Sequence, residues 1–254
     1  MSARFDTFAA LHVPGTPLIL FNVWDAGSTR AAEKAGAKAI ATGSASVATA
    51  HGYDDAESLP LELVLANAER IVRATSLPVS VDFEGGYAVD AAGTAANVAA
   101  LAATGAIGCN FEDQIIATHG TPGRTTHDTA EQAARIAAIR QAIGAEFFVN
   151  ARTDLFLIAK NDAHGDSLVD AAIERGKAYA DAGASGFFVP GLANLGLLER
   201  VCREVPLPIN FMAFPGAPSA TQVAATGVAR ISHGPFPHKL AMAAFEDAAR
   251  AALA

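Results

Sequence analysis

The apolar residues of this chain fall into short runs, and four of these runs share one lead-in. It reads EKAGAKAIATG at Glu33 to Gly43, AATGAIGCNFE at Ala102 to Glu112, ADAGASGFFVP at Ala180 to Pro190 and AATGVARISHG at Ala224 to Gly234. Each is an Ala-rich helix end, a glycine suited to the left-handed position after a helix, and a short apolar run suited to a strand. Four more apolar runs lie between them: Leu18 to Val23, Pro78 to Phe83, Phe147 to Ala151 and Leu207 to Phe211. The total is eight strands, with Ala-rich helical stretches in most of the gaps. Strands alternating with helices require a parallel sheet with crossovers. Eight such units in 254 residues is the arithmetic of an α/β fold closed into a (β/α)8 TIM barrel. A doubly wound sheet would instead carry a Gly-rich phosphate turn after its first strand. That place here reads Asn22-Val23-Trp24-Asp25-Ala26-Gly27-Ser28. No linker or charge block divides the chain, so residues 1–254 are expected to form a single barrel domain with a terminal helix over 239–253. Asp25 is expected to cap the helix starting at Ala26, and Asp128 with Glu131 to form a capping box.

Composition narrows the function classes. Hydrophobic residues make up 51% of the chain and charged residues 17%, as in a well-buried globular protein. A net charge of −8 without any basic run argues against nucleic acid, whose phosphates call for clustered Lys and Arg. No stretch approaches the ~18 consecutive apolar residues that span a bilayer. Met1 to Thr7 carry charge and lack the apolar core of a secretory signal. Cys109 and Cys202 stand alone, which suits a reducing compartment better than a disulfide framework. The expectation is a cytoplasmic protein with a small-molecule ligand and neither membrane nor nucleic-acid partner.

A barrel of this type places its active site where strands end and βα loops begin, and polar residues gather at those places. Strand 2 ends in Thr42-Gly43-Ser44-Ala45-Ser46, followed by His51-Gly52-Tyr53-Asp54-Asp55. Strand 3 ends in Asp82-Phe83-Glu84-Gly85-Gly86-Tyr87, strand 4 in Asn110-Phe111-Glu112-Asp113-Gln114, and strand 5 in Asn150-Ala151-Arg152-Thr153-Asp154. Strand 8 ends in Ser232-His233-Gly234, whereas strand 7 ends in apolar Phe211 and Met212. Strand side chains alternate, so Asp82 and Glu84 project to one face, with Glu112 beside them on the adjacent strand. Three carboxylates at one mouth repel unless a cation lies among them, and hard oxygen ligands suit Mg2+ or Mn2+. Arg152 supplies a planar, permanent cation for a substrate carboxylate. The Gly43-Ser44-Ala45 turn can offer backbone N–H groups to a second anionic group. Any one acid at a strand end is commonly a cap or loop ion pair; the argument rests on the cluster.

Taken in order, Asn22-Val23-Trp24-Asp25-Ala26, Gly43-Ser44, Asp82-Phe83-Glu84-Gly85-Gly86-Tyr87, Glu112-Asp113 and Asn150-Ala151-Arg152-Thr153-Asp154 resemble the isocitrate lyase and phosphoenolpyruvate mutase superfamily. The resemblance implies that Asp82 is the direct metal ligand. Glu84, Glu112 and Asp55 would hold the metal largely through its waters. It places Trp24, Gly43, Ser44, Ala45 and Arg152 at the substrate, with Arg152 and Glu112 also serving catalysis. Superfamily members typically stabilise an enolate of pyruvate or a related 2-oxo acid, to which a divalent ion contributes. They are usually tetramers that exchange a terminal helix, so a homotetramer or homodimer is expected.

One departure bears on the reaction. Isocitrate and methylisocitrate lyases carry a Lys-x-Cys-Gly-His motif on the loop after strand 4, and the mutases carry a Lys there. Here the stretch from Gln114 to Arg124 has neither Cys nor Lys, and Cys109 lies within a strand as a small hydrophobe. Isocitrate lyase proper and phosphonomutase are therefore disfavoured. His119 on that loop and His233 at the end of strand 8 are the candidates for proton transfer, with Tyr53 and Tyr87 as further acids. The expected function is a divalent-metal-dependent carbon–carbon lyase or decarboxylase acting on a small 2-oxo acid or related dicarboxylate through an enolate. The alternative is a non-catalytic protein that binds pyruvate or 2-oxoglutarate on the same barrel.

Overall fold

Alternation of inward and outward side chains along eight short strands builds one parallel sheet. The computed structural model describes residues 3–116 and 125–254. The strands are β1 Leu18–Leu20, β2 Ile40–Ala41, β3 Val79–Asp82, β4 Gly108–Glu112, β5 Phe148–Arg152, β6 Gly186–Phe188, β7 Ile209–Met212 and β8 Arg230–Ser232. Each pairs with its neighbour in sequence, and β8 pairs back with β1. The remaining seam, between β1 and β2, closes just past both strands through a parallel bridge of Val23 with Thr42. There the Val23 amide donates to the Ala41 carbonyl at 2.8 Å and the Gly43 amide to the Val23 carbonyl at 3.3 Å. The eight expected strands and the barrel they imply are all present.

Outward positions of the strands, among them Val79, Val81, Cys109, Phe111, Val149, Phe187 and Ile231, join the apolar core against the surrounding helices. Cys109 is fully buried, and burial pushes its thiol up to about 12. The inward positions are mixed. At the bottom of the barrel Phe148 packs with Leu18, Leu20 and Ala39, closed off by Phe8 from the helix Ala3–Ala10. An added Cβ would lie within 3.0 Å of the Phe148 backbone and Cβ at Gly108 and of its ring at Gly186, so these two glycines let Phe148 fit. The His12 ring stacks on Phe148 with centroids 4.4 Å apart. Above this plug runs a polar layer: Asn150 Nδ2 and Arg230 Nη2 both donate to Asn110 Oδ1, at 2.8 and 3.1 Å.

Two elements were not expected. The turn after β2 is the start of a short helix, Ser44–Ala50. Past β4, Gln114–Ile115 pairs antiparallel with Thr125–Thr126. Asp25 caps its helix as read from sequence, its Oδ1 accepting the Ser28 amide at 2.7 Å. Asp128 also caps, through the Ala130 amide at 2.8 Å. Glu131, however, lies 3.6 Å from His127 Nδ1 instead of closing a capping box. The terminal helix begins three residues earlier than expected and spans Phe236–Leu253. Only its first turn is buried; Leu240, Met242, Phe245 and Leu253 are exposed. Ile19 and Phe21 on the outer face of the first strand and its extension are exposed as well. Among the described residues no helix is long and apolar enough to cross a membrane.

Candidate active site

A cavity of about 190 Å3 opens at the carboxyl ends of the strands. Its lining includes Gly43, Ser44 and Ala45 from β2 onward, Asp55 from the following loop, Asp82 from β3, Asn110 from β4 and Arg152 from β5. Six residues expected from sequence thus share one cavity with Asn110.

Asp82 sits at its centre, held from two sides. Its Oδ2 accepts the Ser44 amide at 3.0 Å and its Oδ1 accepts Asn110 Nδ2 at 3.1 Å. Because Asn110 also receives Arg230 from below, the amide connects a buried guanidinium in the barrel interior to the carboxylate at its mouth. Burial lowers the Arg230 guanidinium to about 10, with Asp82 pulling the other way. The amide of Ala45 follows in the first helical turn, where no carbonyl of the helix can accept it.

Arg152 is less free than the sequence suggested. Its Nε and Nη2 donate to both oxygens of Asp154, at 2.5 and 2.9 Å, and its Nη1 lies 2.7 Å from Glu112 Oε2. Two of its five N–H groups are hydrogen-bonded to Asp154, and Nη1 faces Glu112 and, at 4.0 Å, Asp82 Oδ1. Burial opposes its charge, yet Asp154, Glu112 and Asp82 together raise its pKa. Asp154 is fixed in turn: its amide donates to Asp113 Oδ1 at 2.9 Å, and Asp113 Oδ2 accepts Arg175 Nη1 at 3.0 Å and the Tyr179 hydroxyl at 2.9 Å. Glu112 is buried, and burial pushes it well above the usual carboxylate range against the pull of Arg152.

Glu84 stands on the other side of Asp82, within a strained pair of loops. Ala56, Glu57, Glu84 and Tyr87 all have positive φ, between 49° and 69°. Each such non-glycine residue costs about 1–3 kcal/mol and persists only where its surroundings enforce it. The enforcement is visible. Glu84 Oε2 accepts the Glu57 amide at 2.6 Å and its Oε1 accepts the Tyr87 hydroxyl at 3.2 Å. Glu57 Oε1 in return accepts the Tyr87 amide at 2.8 Å. Burial, then the Asp55 charge, pushes Glu84 up to about 8; burial and then Asp82 raise Asp55.

Among the described residues no three of His, Cys, Asp and Glu converge as a metal cage. The donor set still suits a magnesium-type ion, which keeps several waters and takes only one or two carboxylates directly. The Asp82 charge raises the proton affinity of Asp55, and Asp55 and Asp82 raise that of Glu84, while the nearest guanidinium is already shared by Glu112 and Asp154. That surplus of negative charge is what a divalent cation would relieve.

Glu84 and Glu112 are not among the residues lining the cavity, and two further expected site residues lie elsewhere. His233 does not line the cavity: its Nδ1 lies 3.1 Å from the Leu20 carbonyl and its ring meets Phe21 edge-on, across the seam of β8 and β1. Trp24 packs edge-on to His238 of the terminal helix, 4.9 Å between centroids, and its carbonyl accepts Asn67 Nδ2. His119 lies outside the described residues. Sequence reasoning did not single out Asn110, Asp154, Glu57 or Arg230. Arg230 and Asn110 did leave a trace, as lone polar residues at inward positions of apolar runs.

A parallel (β/α)8 barrel with carboxylates and an arginine at its mouth is the architecture of a small-acid enzyme. The chain belongs to the phosphoenolpyruvate phosphomutase family, whose model matches residues 8–253. It is similar to a crystal structure from Burkholderia cenocepacia provisionally assigned as a phosphonomutase, with 46% identity over 98% of both chains and a TM-score of 0.93. A Mycobacterium tuberculosis protein of uncharacterized function is 34% identical over 96% of this chain and 88% of its own length. The 2-methylisocitrate lyase of Escherichia coli is 30% identical over 84% of this chain and 74% of its own.

Proposed function

We propose that this protein is a divalent-metal-dependent carbon–carbon lyase or decarboxylase acting on a small 2-oxo acid or related dicarboxylate. The observation that carries the reading is the gathering of Asp82, Asp55, Ser44 and Arg152 around one cavity at the strand ends. Likeness to the E. coli 2-methylisocitrate lyase supports the lyase class. Arg152, steadied by Asp154 and Glu112, uses its remaining N–H groups to bind the substrate carboxylate. The first turn of the helix after β2 offers the Ala45 amide to a second oxygen. Asp82 would hold Mg2+ or Mn2+ directly, with Asp55, Glu84 and Glu112 around its waters. When bound, the ion supplies Lewis-acid polarisation of the substrate oxygens. Glu112, buried and 2.7 Å from Arg152 Nη1, is the carboxylate that steadies this guanidinium beside the substrate.

Loss of CO2 from oxaloacetate, whose departing carboxylate is β to the keto carbon, leaves the enolate of pyruvate; it requires stabilisation of that enolate and tolerates the missing loop Cys. His119 stays a candidate for proton transfer. A homo-oligomer completes the reading, with the exposed terminal helix covering an exposed apolar face on another copy. Proton NMR of the full chain with Mg2+, with and without EDTA, tests the activity on oxaloacetate, methylisocitrate, dimethylmalate and phosphonopyruvate. Metal-dependent cleavage of one carbon–carbon bond is the expected result. Survival of every acid, or cleavage confined to the carbon–phosphorus bond, contradicts it.

A further inference from the structure

The mouth of the barrel is divided into two arcs of unlike chemistry. From β2 to β5 the cavity presents Ser44, Asp55, Asp82 and Arg152. From the segment after β5 round to the end of β8 it is walled by Leu157, Phe188, Met212 and Pro235. The polar side chains that line this arc, Ser232 and Asn22, are already paired, and the donors left without a partner, Asn210 Nδ2 and Arg230 Nη1, are buried outside the lining. Ser232 Oγ accepts Arg230 Nε at 3.1 Å and donates to Asn210 Oδ1 at 3.3 Å. Asn22 Oδ1 accepts the amides of His233 and Gly234, at 2.8 and 3.0 Å, while its Nδ2 donates to the Thr42 carbonyl at 2.7 Å.

The apolar wall starts beside the arginine. The Phe188 ring centroid lies 5.9 Å from the Arg152 guanidinium carbon, and Phe188 is 4% exposed. A ligand whose carboxylate is held by Arg152 therefore has its next carbons beside Phe188, in a cavity that Leu157 and Met212 also line. An ionised substituent turned to that wall would lose water and gain no donor from these side chains. A methyl or short branched alkyl group would bury apolar area there. Resting on the reading of the site as one for a small 2-oxo acid, we infer that its preferred substrate carries a short alkyl substituent beside the keto carbon, packed on Leu157, Phe188 and Met212.

Calorimetric titration of the full chain in Mg2+ tests this without turnover. The probes are pyruvate, 2-oxobutanoate and 3-methyl-2-oxobutanoate, against 2-oxoglutarate and phosphonopyruvate. Affinity should rise about fourfold for each added carbon of the alkyl series, and the two doubly charged acids should bind more weakly than the branched one. Met212→Gln should flatten the alkyl gradient. Leu157→Asn, at a half-buried position, should do the same should the first variant fold poorly. A flat or inverted series, tighter binding of 2-oxoglutarate or phosphonopyruvate, or no binding by any probe overturns the inference. The outcomes separate the two readings: a gradient without turnover of any acid keeps this inference and removes the catalytic one, whereas turnover with a flat series does the reverse.

Discussion

Glu57 and Glu84 each hold the other's loop: the Glu57 amide donates to Glu84 Oε2 at 2.6 Å, and Glu57 Oε1 accepts the amide of Tyr87, three residues past Glu84, at 2.8 Å. Both glutamates sit at positive φ, so the backbone would relax away if the clasp opened. Asp55 precedes Glu57 by two residues and lines the same cavity as Arg152, so its position depends on this clasp.

Glu57→Ala removes the acceptor from the Tyr87 amide. The expected loss is about 1–3 kcal/mol of stability, read as a fall of roughly 2–10 °C in Tm. Glu57→Gln keeps an acceptor and should lose less than half of that. Equal melting temperatures for wild type and both variants would show that the clasp is not holding the loops.

Arg152→Lys keeps a charge but cannot grip both Asp154 oxygens and Glu112 together. Breaking a buried pair of this kind costs about 3–5 kcal/mol. Stability should fall by an amount approaching that, and kcat/KM for the substrate should fall at least about a hundredfold, equivalent to ~2.7 kcal/mol. A variant with native stability and activity would mean that Arg152 neither organises the mouth nor binds the ligand.

His12 sets a pH dependence remote from the site. Burial, aided by the charge of Arg230, lowers it to about 3 from an ordinary 6.5, and its Nδ1 lies 2.8 Å from the Phe8 carbonyl. The folded state thus disfavours the proton that the unfolded chain takes up below pH 6.5. The stabilisation is present above pH 6.5 and is lost as pH falls towards 3. Between pH 6.5 and 5 this one group should remove roughly 2 kcal/mol. Denaturant titrations at the two pH values measure it, and His12→Gln should lose that slope. An unchanged slope in the variant would contradict the assignment.

The terminal helix Phe236–Leu253 leaves Leu240, Phe245 and Leu253 between 66% and 88% exposed, while Ile19 and Phe21 are about half exposed on the barrel. If these faces pair between copies, light scattering should give a dimer or tetramer, and Phe245→Asp should shift it towards monomer. A monomeric wild type at micromolar concentration contradicts this part of the account.

Much of this was written openly in the chain. The repeated helix-end, glycine and apolar-run pattern gave four of the strands and the apolar runs between its copies gave the other four, because C′ glycines and period-two burial are local properties. Ser44, Asp55, Asp82 and Arg152 were legible because a barrel brings consecutive strand ends to one face. Glu57 was not, since its place depends on positive φ at residues that are not glycine, which side-chain chemistry does not announce. His233 looked equally suited to the mouth; the closing seam turns it to the Leu20 carbonyl, a contact between residues 213 positions apart. Arg152 was legible as the cation for a substrate carboxylate, but not its grip on Asp154, two residues on, through Nε and Nη2.

The central claim is that this mouth stabilises the enolate of a 2-oxo acid. Exchange of the pyruvate methyl protons in D2O, followed by proton NMR with Mg2+, tests it without knowing the natural substrate. The account predicts loss of the methyl signal that EDTA abolishes and that Asp82→Asn and Arg152→Lys slow strongly. Pyruvate that binds in the presence of Mg2+ yet keeps its methyl protons would contradict it.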